Sequence, residues 1–195
     1  MRKKSIKRAA EAFCQETDAI QAFLTTVAIG RSKEHESWLY EYAIIRLYRG
    51  FEALIREALV GAINNSTATL SSRTGIQFPP HLSNEVCEFL VVGNGFFDFK
   101  GRDGLIGTLK QFVPDTHYLV GVAKSAKYRT SLERLAAFRN LAAHESTVSR
   151  TRAKAAITQE RMGSAGSWLK RQGRFTSIAD SLKDLALELK DKAPY

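Results

Sequence analysis

Cysteine is nearly absent: the 195 residues hold two, Cys14 and Cys87. Two thiols build no disulfide framework and match no zinc-ligand spacing, so a reducing cytoplasm is the expected compartment. Long apolar runs are missing as well, and nothing approaches the ~20 residues that a membrane span needs. The basic opening Met1-Arg2-Lys3-Lys4 has the charge of a secretory signal. However, Glu11, Gln15, Glu16 and Asp18 interrupt what would be its apolar region, and no signal peptide is expected. Histidine is sparse, and His35, His81 and His117 pair neither with one another nor with acids at metal-ligand spacing. Each is read as a surface or loop histidine, and neither a metal nor a cofactor is expected. Gly101-x-x-Gly104 and the later Gly107 make no phosphate loop, because no strand precedes them and no Gly-Lys-Ser/Thr follows. No helix-turn-helix pair with a basic recognition helix is evident.

Apolar residues make up 44% of the chain and charged residues 25%, an ordinary globular mix. The length fits one domain over residues 1–195 that buries a real core. Acids are outnumbered, and the net charge is +9. Between Gly121 and Arg174 twelve Lys and Arg stand against three acids, Glu133, Glu145 and Glu160, while the rest of the chain balances at seventeen of each sign. The excess is therefore concentrated in one segment, as expected where a polyanion must approach. A solvated basic surface is the plain alternative.

The periodicities are helical, and an all-α chain is expected. Residues 5–29 carry Ile6, Ala9, Phe13, Ile20, Phe23, Leu24 and Val27, with Gly30 placed to end the helix. Residues 38–62 form the longest periodic run, with Trp38, Tyr42, Ile45, Leu47, Phe51, Leu54, Ile55, Ala58 and Leu59 on a broad apolar stripe. There Arg49, Glu52 and Arg56 have the spacing of helix-surface ion pairs. Residues 66–80 read as a long loop and residues 82–92 as a short helix or strand, stopped by Gly93-Asn94-Gly95. An extended segment over FFDFKGRDG precedes a helix over residues 105–112 that Pro114 closes. In this stretch Asp98, Lys100, Arg102 and Asp103 read as helix and turn charge. After His144 the polar run ESTVSRTRAK continues or restarts a helix, and residues 163–166 break it. Trp168, beside Lys170, Arg171 and Arg174, can stack a base or belong to the core. A last helix over residues 177–190, capped by Thr176, presents Ile178, Leu182, Leu185 and Leu189.

The chain is organised around residues 130–146, TSLERLAAFRNLAAHES. Thr130 is placed as an N-cap, with Glu133 reaching back to complete a capping box, so a helix is expected to begin at about Ser131. An advance of about 100° per residue puts Leu135, Phe138 and Ala142 on one face and Glu133, Ala137, Asn140 and His144 on the other. Arg139 lies at the border, roughly 140° round from His144.

Arg139-Asn140-Leu141-Ala142-Ala143-His144 resembles the R-N-x-x-A/S-H form of the Arg-x(4–6)-His motif of the HEPN superfamily. These are all-helical domains found in many metal-independent endoribonucleases and in prokaryotic toxin or defence proteins. The upstream segment IIRLYRGFEALIREAL is similar to the long second helix of such domains. FFDFKGRDGLIGTLKQFVP, residues 96–114, looks like the segment before the motif in a branch grouped with RiboL-PSP proteins. The resemblance loosely covers residues 35–190. It implies a helical bundle with long antiparallel helices and irregular insertions, preceded by an N-terminal helix in residues 1–30.

The resemblance implies RNA as substrate, a homodimer with the two motifs facing each other, and a possible antitoxin or other regulatory protein. RNA carries its own nucleophile, the 2′-hydroxyl, so cleavage needs only proton transfer and charge stabilisation. An imidazole at position 144 suits general acid–base catalysis, because histidine both takes up and gives up a proton readily. Arg139 suits the phosphate oxygens through its planar fork, and Asn140 can orient the imidazole or a phosphate oxygen. Glu52 is a candidate helper, and Arg134, Arg150, Arg152 and Lys154 are candidate RNA contacts. Ala137 and Ala143 would let two such helices approach. The alternative is a catalytically inactive HEPN-like module that binds RNA or protein, and a DNA-binding regulator comes third.

Overall fold

The longest apolar stripe of the sequence becomes the axis of the molecule. The structure, a computed structural model, describes residues 4–27, 29–93, 95, 97–158 and 161–194. Arg2, Lys3, Asn94, Phe96 and Glu160, named above, lie outside the described residues. Within them every regular element is helical: α1 (Ile6–Val27), α2 (Lys33–Asn65), α3 (Ala68–Thr74), α4 (Asn84–Val92), α5 (Gly101–Phe112), α6 (Tyr118–Lys124), α7 (Ala126–His144), α8 (Thr147–Ile157), α9 (Ala165–Leu169) and α10 (Arg174–Lys192). The fold is all-α. Among the described residues no helix is long and apolar enough to cross a membrane.

Ser32 opens α2 by accepting a hydrogen bond from the His35 N–H, and Glu34 and Glu36 in its first turn favour the positive end of the helix dipole. The helix then buries Ile44, Leu47, Phe51, Leu54, Ile55, Ala58 and Leu59. It packs against α1, α4, α5, α7, α9 and α10, so one contiguous core forms around it. Trp38 and Tyr42, expected on that stripe, are instead 56% and 55% exposed, because α9 and α10 cover the other side of this end of α2, at Ser37, Tyr40 and Glu41. Ion pairs link antiparallel neighbours: Lys4, just before α1, with Glu57 and Glu16 with Arg46 join this segment to α2, while Glu11 with Lys190 and Asp18 with Lys183 join α1 to α10.

Several helix boundaries differ from the sequence reading. Helix α7 begins at Ala126, not near Ser131, because Tyr128 is buried and its hydroxyl donates to Glu188 Oε2 of α10 at 2.6 Å. Thr130 is therefore inside the helix, and Glu133 pairs with Arg129 at 3.0 Å instead of closing a capping box. Residues 66–80 are not all loop, because buried Leu70 anchors α3. Helix α5 starts at Gly101, four residues early, once Phe99 is locked between the rings of Tyr48 and Phe51, 5.2 and 5.6 Å away. Buried Phe175, edge-on to Tyr40, draws the start of α10 back to Arg174, so Thr176 is not its cap. His117 is half-buried and caps α6, its Nδ1 accepting from the Leu119 N–H at 3.3 Å.

Candidate functional site

Helix α7 carries the Arg139–His144 motif against α2. Leu135, Phe138 and Leu141 are buried there, and this sets the rotation of the helix. Arg139 then falls at the edge of the core, with its guanidinium carbon 4.4 Å from the centre of the Tyr48 ring. This cation–π contact holds the guanidinium against α2. Arg139 Nη1 also donates to Asn140 Oδ1 at 2.7 Å, so two neighbours whose backbone directions diverge are joined at their heads.

The platform beneath Arg139 is itself fixed. The Tyr48 hydroxyl is 2.7 Å from Asp98 Oδ1 and 2.9 Å from the Phe99 carbonyl oxygen, and its single proton serves one at a time. Burial pushes the Tyr48 phenol far up, and the hydrogen bond to Asp98 adds to this. One turn along α2, burial pushes the Glu52 carboxyl up to about 7, against the pull of the nearby Arg139 charge, while Asp98 pushes it further up. The expected ion pairing of Glu52 with Arg49 and Arg56 does not form. Arg56 reaches Glu88 of α4 instead, at 3.6 Å. Glu52 is thus a half-buried acid placed near neutrality beside a fixed guanidinium.

His144 ends α7 and is exposed, one helical turn beyond half-buried Asn140 on the same face. No hydrogen bond or ion pair joins it to Arg139 within the chain. Glu145 follows in the left-handed conformation, φ 44°, and Ser146 caps α8, which folds back along α7. This return covers part of the face expected to look outward. Ala137 is only 9% exposed and is therefore not available for a helix–helix contact with another chain, while Ala143 is exposed.

Between α7, α8 and the first turn of α5 lies a cleft of about 470 Å³. Asn140 and Glu133 of α7 reach it, with Ala136 and Ala137 between them. Helix α8 adds Arg152, Ala155 and Ala156, and the α5 side adds Lys100, Gly101, Arg102 and Asp103. Of the four expected RNA contacts, Arg152 alone lines this cleft. Arg150 Nη1 donates to the Gly163 carbonyl oxygen at 3.0 Å, and Arg134 Nε donates to that of Ala156 at 3.5 Å. Lys154 is half-buried on α8. Trp168 is core: 6% exposed, it stacks on Phe138 at 4.3 Å, with Arg134 and Arg174 over its ring at 5.6 and 4.6 Å.

Tyr48, Asp98, Lys100 and Arg102 were not picked out as site residues from the sequence. Tyr48 and Glu52 stand four apart on α2, a spacing that puts both on one helix face, and that was the one available signal. Among the described residues no three His, Cys, Asp or Glu side chains are grouped so that they could hold a metal ion. Comparison with protein-family models, curated proteins and solved structures gives no match for this chain.

Proposed function

We propose that the protein is a metal-independent endoribonuclease of the HEPN type, cutting RNA by attack of the 2′-hydroxyl on the adjacent phosphate to leave 2′,3′-cyclic phosphate and 5′-hydroxyl ends. One observation carries the reading. Arg139 is clamped by Tyr48 and by Asn140, and Asn140 lines a cleft with Lys100, Arg102 and Arg152 on the face of α7 that ends at exposed His144. A planar guanidinium held in place offers two parallel donors to a phosphate. The preorganised positive charge stabilises the pentacovalent phosphorane as it forms.

His144 exchanges the proton, as base toward the 2′-hydroxyl or as acid toward the 5′-oxygen leaving group. Glu52, placed near 7, is matched to proton transfer at neutral pH and serves as the supporting group beside Arg139. Five residues of helix separate the two motif heads by about 7.5 Å of rise and about 140° of rotation. A twofold homodimer that sets each His144 against the partner's Arg139 side answers that divergence. A toxin or anti-phage role, held in check by an antitoxin or other regulatory protein, follows from the resemblance and predicts slowed growth on expression. The second reading, a catalytically inactive RNA- or protein-binding module, is favoured by the missing contact between Arg139 and His144 within one chain.

The test is direct: the purified chain is incubated with end-labelled RNA in EDTA and its products are sized and end-grouped. New 2′,3′-cyclic phosphate ends support the nuclease, whereas RNA binding without cleavage supports the second reading.

A further inference from the structure

We infer that the cleft between α5, α7 and α8 seats one nucleotide unit of an RNA strand, with its phosphate held by Lys100 and Arg152; this rests on the reading of the chain as an RNA-acting protein. At about 470 Å³ the cleft lies within the range of roughly 300–1,000 Å³ typical of small-ligand sites. Its surface between α7 and α8 is made by Ala136, Ala137, Ala155 and Ala156. None extends past Cβ, so the two helices present a smooth apolar floor on which a base or ribose can lie without stripping water from polar groups.

The rim supplies the charge. Three cations line the cleft against two carboxylates, and the groups differ in how far they are already engaged. Glu133 is bound to Arg129 at 3.0 Å, Asp103 is 98% exposed and 3.7 Å from Arg102, and Arg102 also donates to the Lys124 carbonyl oxygen. Lys100 and Arg152 are exposed and have no ion-pair partner among the described residues. They are the two cations left for a phosphate. Asn140 both lines this cleft and accepts from Arg139, so a nucleotide seated here adjoins the group that would hold the neighbouring linkage.

The test measures binding, not cleavage, in the full chain carrying His144→Ala. The probe is a fluorescein-labelled single-stranded RNA 12-mer of mixed sequence, followed by anisotropy at several salt concentrations. Lys100→Ala with Arg152→Ala should weaken binding at least 10-fold and lower the salt slope by about 0.7, the value for one phosphate neutralised on a single strand. Ala155→Phe, at an exposed position on the floor, should weaken binding at least 5-fold with the slope unchanged; Ala155→Met replaces it if the melting temperature falls. Lys7→Ala with Arg31→Ala, which removes the same charge elsewhere, should stay within 2-fold. The inference is overturned if the unaltered cleft binds no RNA, if Ala155→Phe binds as its parent does, or if the distant pair weakens binding as much as the cleft pair. Cleavage by the wild-type chain is scored separately. A chain that binds through the cleft but never cuts defeats the nuclease alone, and one that cuts with Ala155→Phe binding unimpaired defeats the cleft alone.

Discussion

Arg139 lies over the ring of Tyr48, with 4.4 Å between guanidinium carbon and ring centre, so the cation expected to meet phosphate is positioned by an aromatic side chain of a different helix. If the ring is the positioning element, its hydroxyl is dispensable for function. Tyr48→Phe should cost about 1 kcal/mol of stability through its lost hydrogen bond and keep cleavage within 3-fold. Tyr48→Leu should cut kcat at least 10-fold at a temperature where it is folded. Equal cleavage by the two variants would show that Arg139 needs no platform.

Glu52 makes stability depend on pH in a defined sense. Burial raises its carboxyl from an ordinary carboxylate value to about 7 in the folded chain, so the fold favours the protonated form. Its folded-state penalty is absent below the unfolded pKa of about 4.3 and grows as pH rises through 7. Glu52→Gln should therefore melt like wild type near pH 4 and be the more stable by about 1 kcal/mol at pH 8, once solvent screening is allowed for. A stability difference independent of pH would contradict the placement of this acid.

Gly166 is fixed by its neighbour. A Cβ there would stand 1.8 Å from the Ser37 carbonyl oxygen, and the Gly166 N–H donates to Glu41 Oε1 at 3.0 Å. Backbone lies on both sides of the contact, so neither can move cheaply. Gly166→Ala should destabilise the protein by about 3 kcal/mol, read from denaturant midpoints. A loss below 1 kcal/mol would mean that α9 does not dock this closely on α2.

Glu145 stores strain beside the motif. It is a non-glycine residue at φ 44°, a conformation that costs about 1 kcal/mol for an L side chain. Glu145→Gly should stabilise the chain by about 0.5 kcal/mol, net of the extra freedom glycine gains when unfolded. Destabilisation would show that the Glu145 side chain makes a contact of its own.

The long helices and their order were legible because buried side chains recur at helical spacing, as Leu47, Phe51, Leu54, Ala58 and Leu59 do, whereas the short helices α3, α6 and α9 are too brief to show a period. Boundaries were less so, since local signals lost to distant contacts. Thr130 has the chemistry of a cap, yet Tyr128 reaching Glu188 carries the helix past it. At the site the Arg139–Asn140–His144 spacing was legible, while its surroundings were not. That Tyr48 supports Arg139 and that Lys100 shares a cleft with Arg152 depend on chain crossings that no spacing records. Arg134 and Arg150 show the reverse: basic residues in a basic segment whose heads bind carbonyl oxygens of their own chain.

The central claim is that the imidazole of His144 takes part in cutting RNA. Wild-type and His144→Ala chains, matched by circular dichroism and melting temperature, should be compared for cleavage of end-labelled RNA in EDTA. The account predicts 2′,3′-cyclic phosphate products from wild type and a rate at least 100-fold lower from the variant. Equal cleavage by both chains, or none by wild type at any RNA tested, would contradict it.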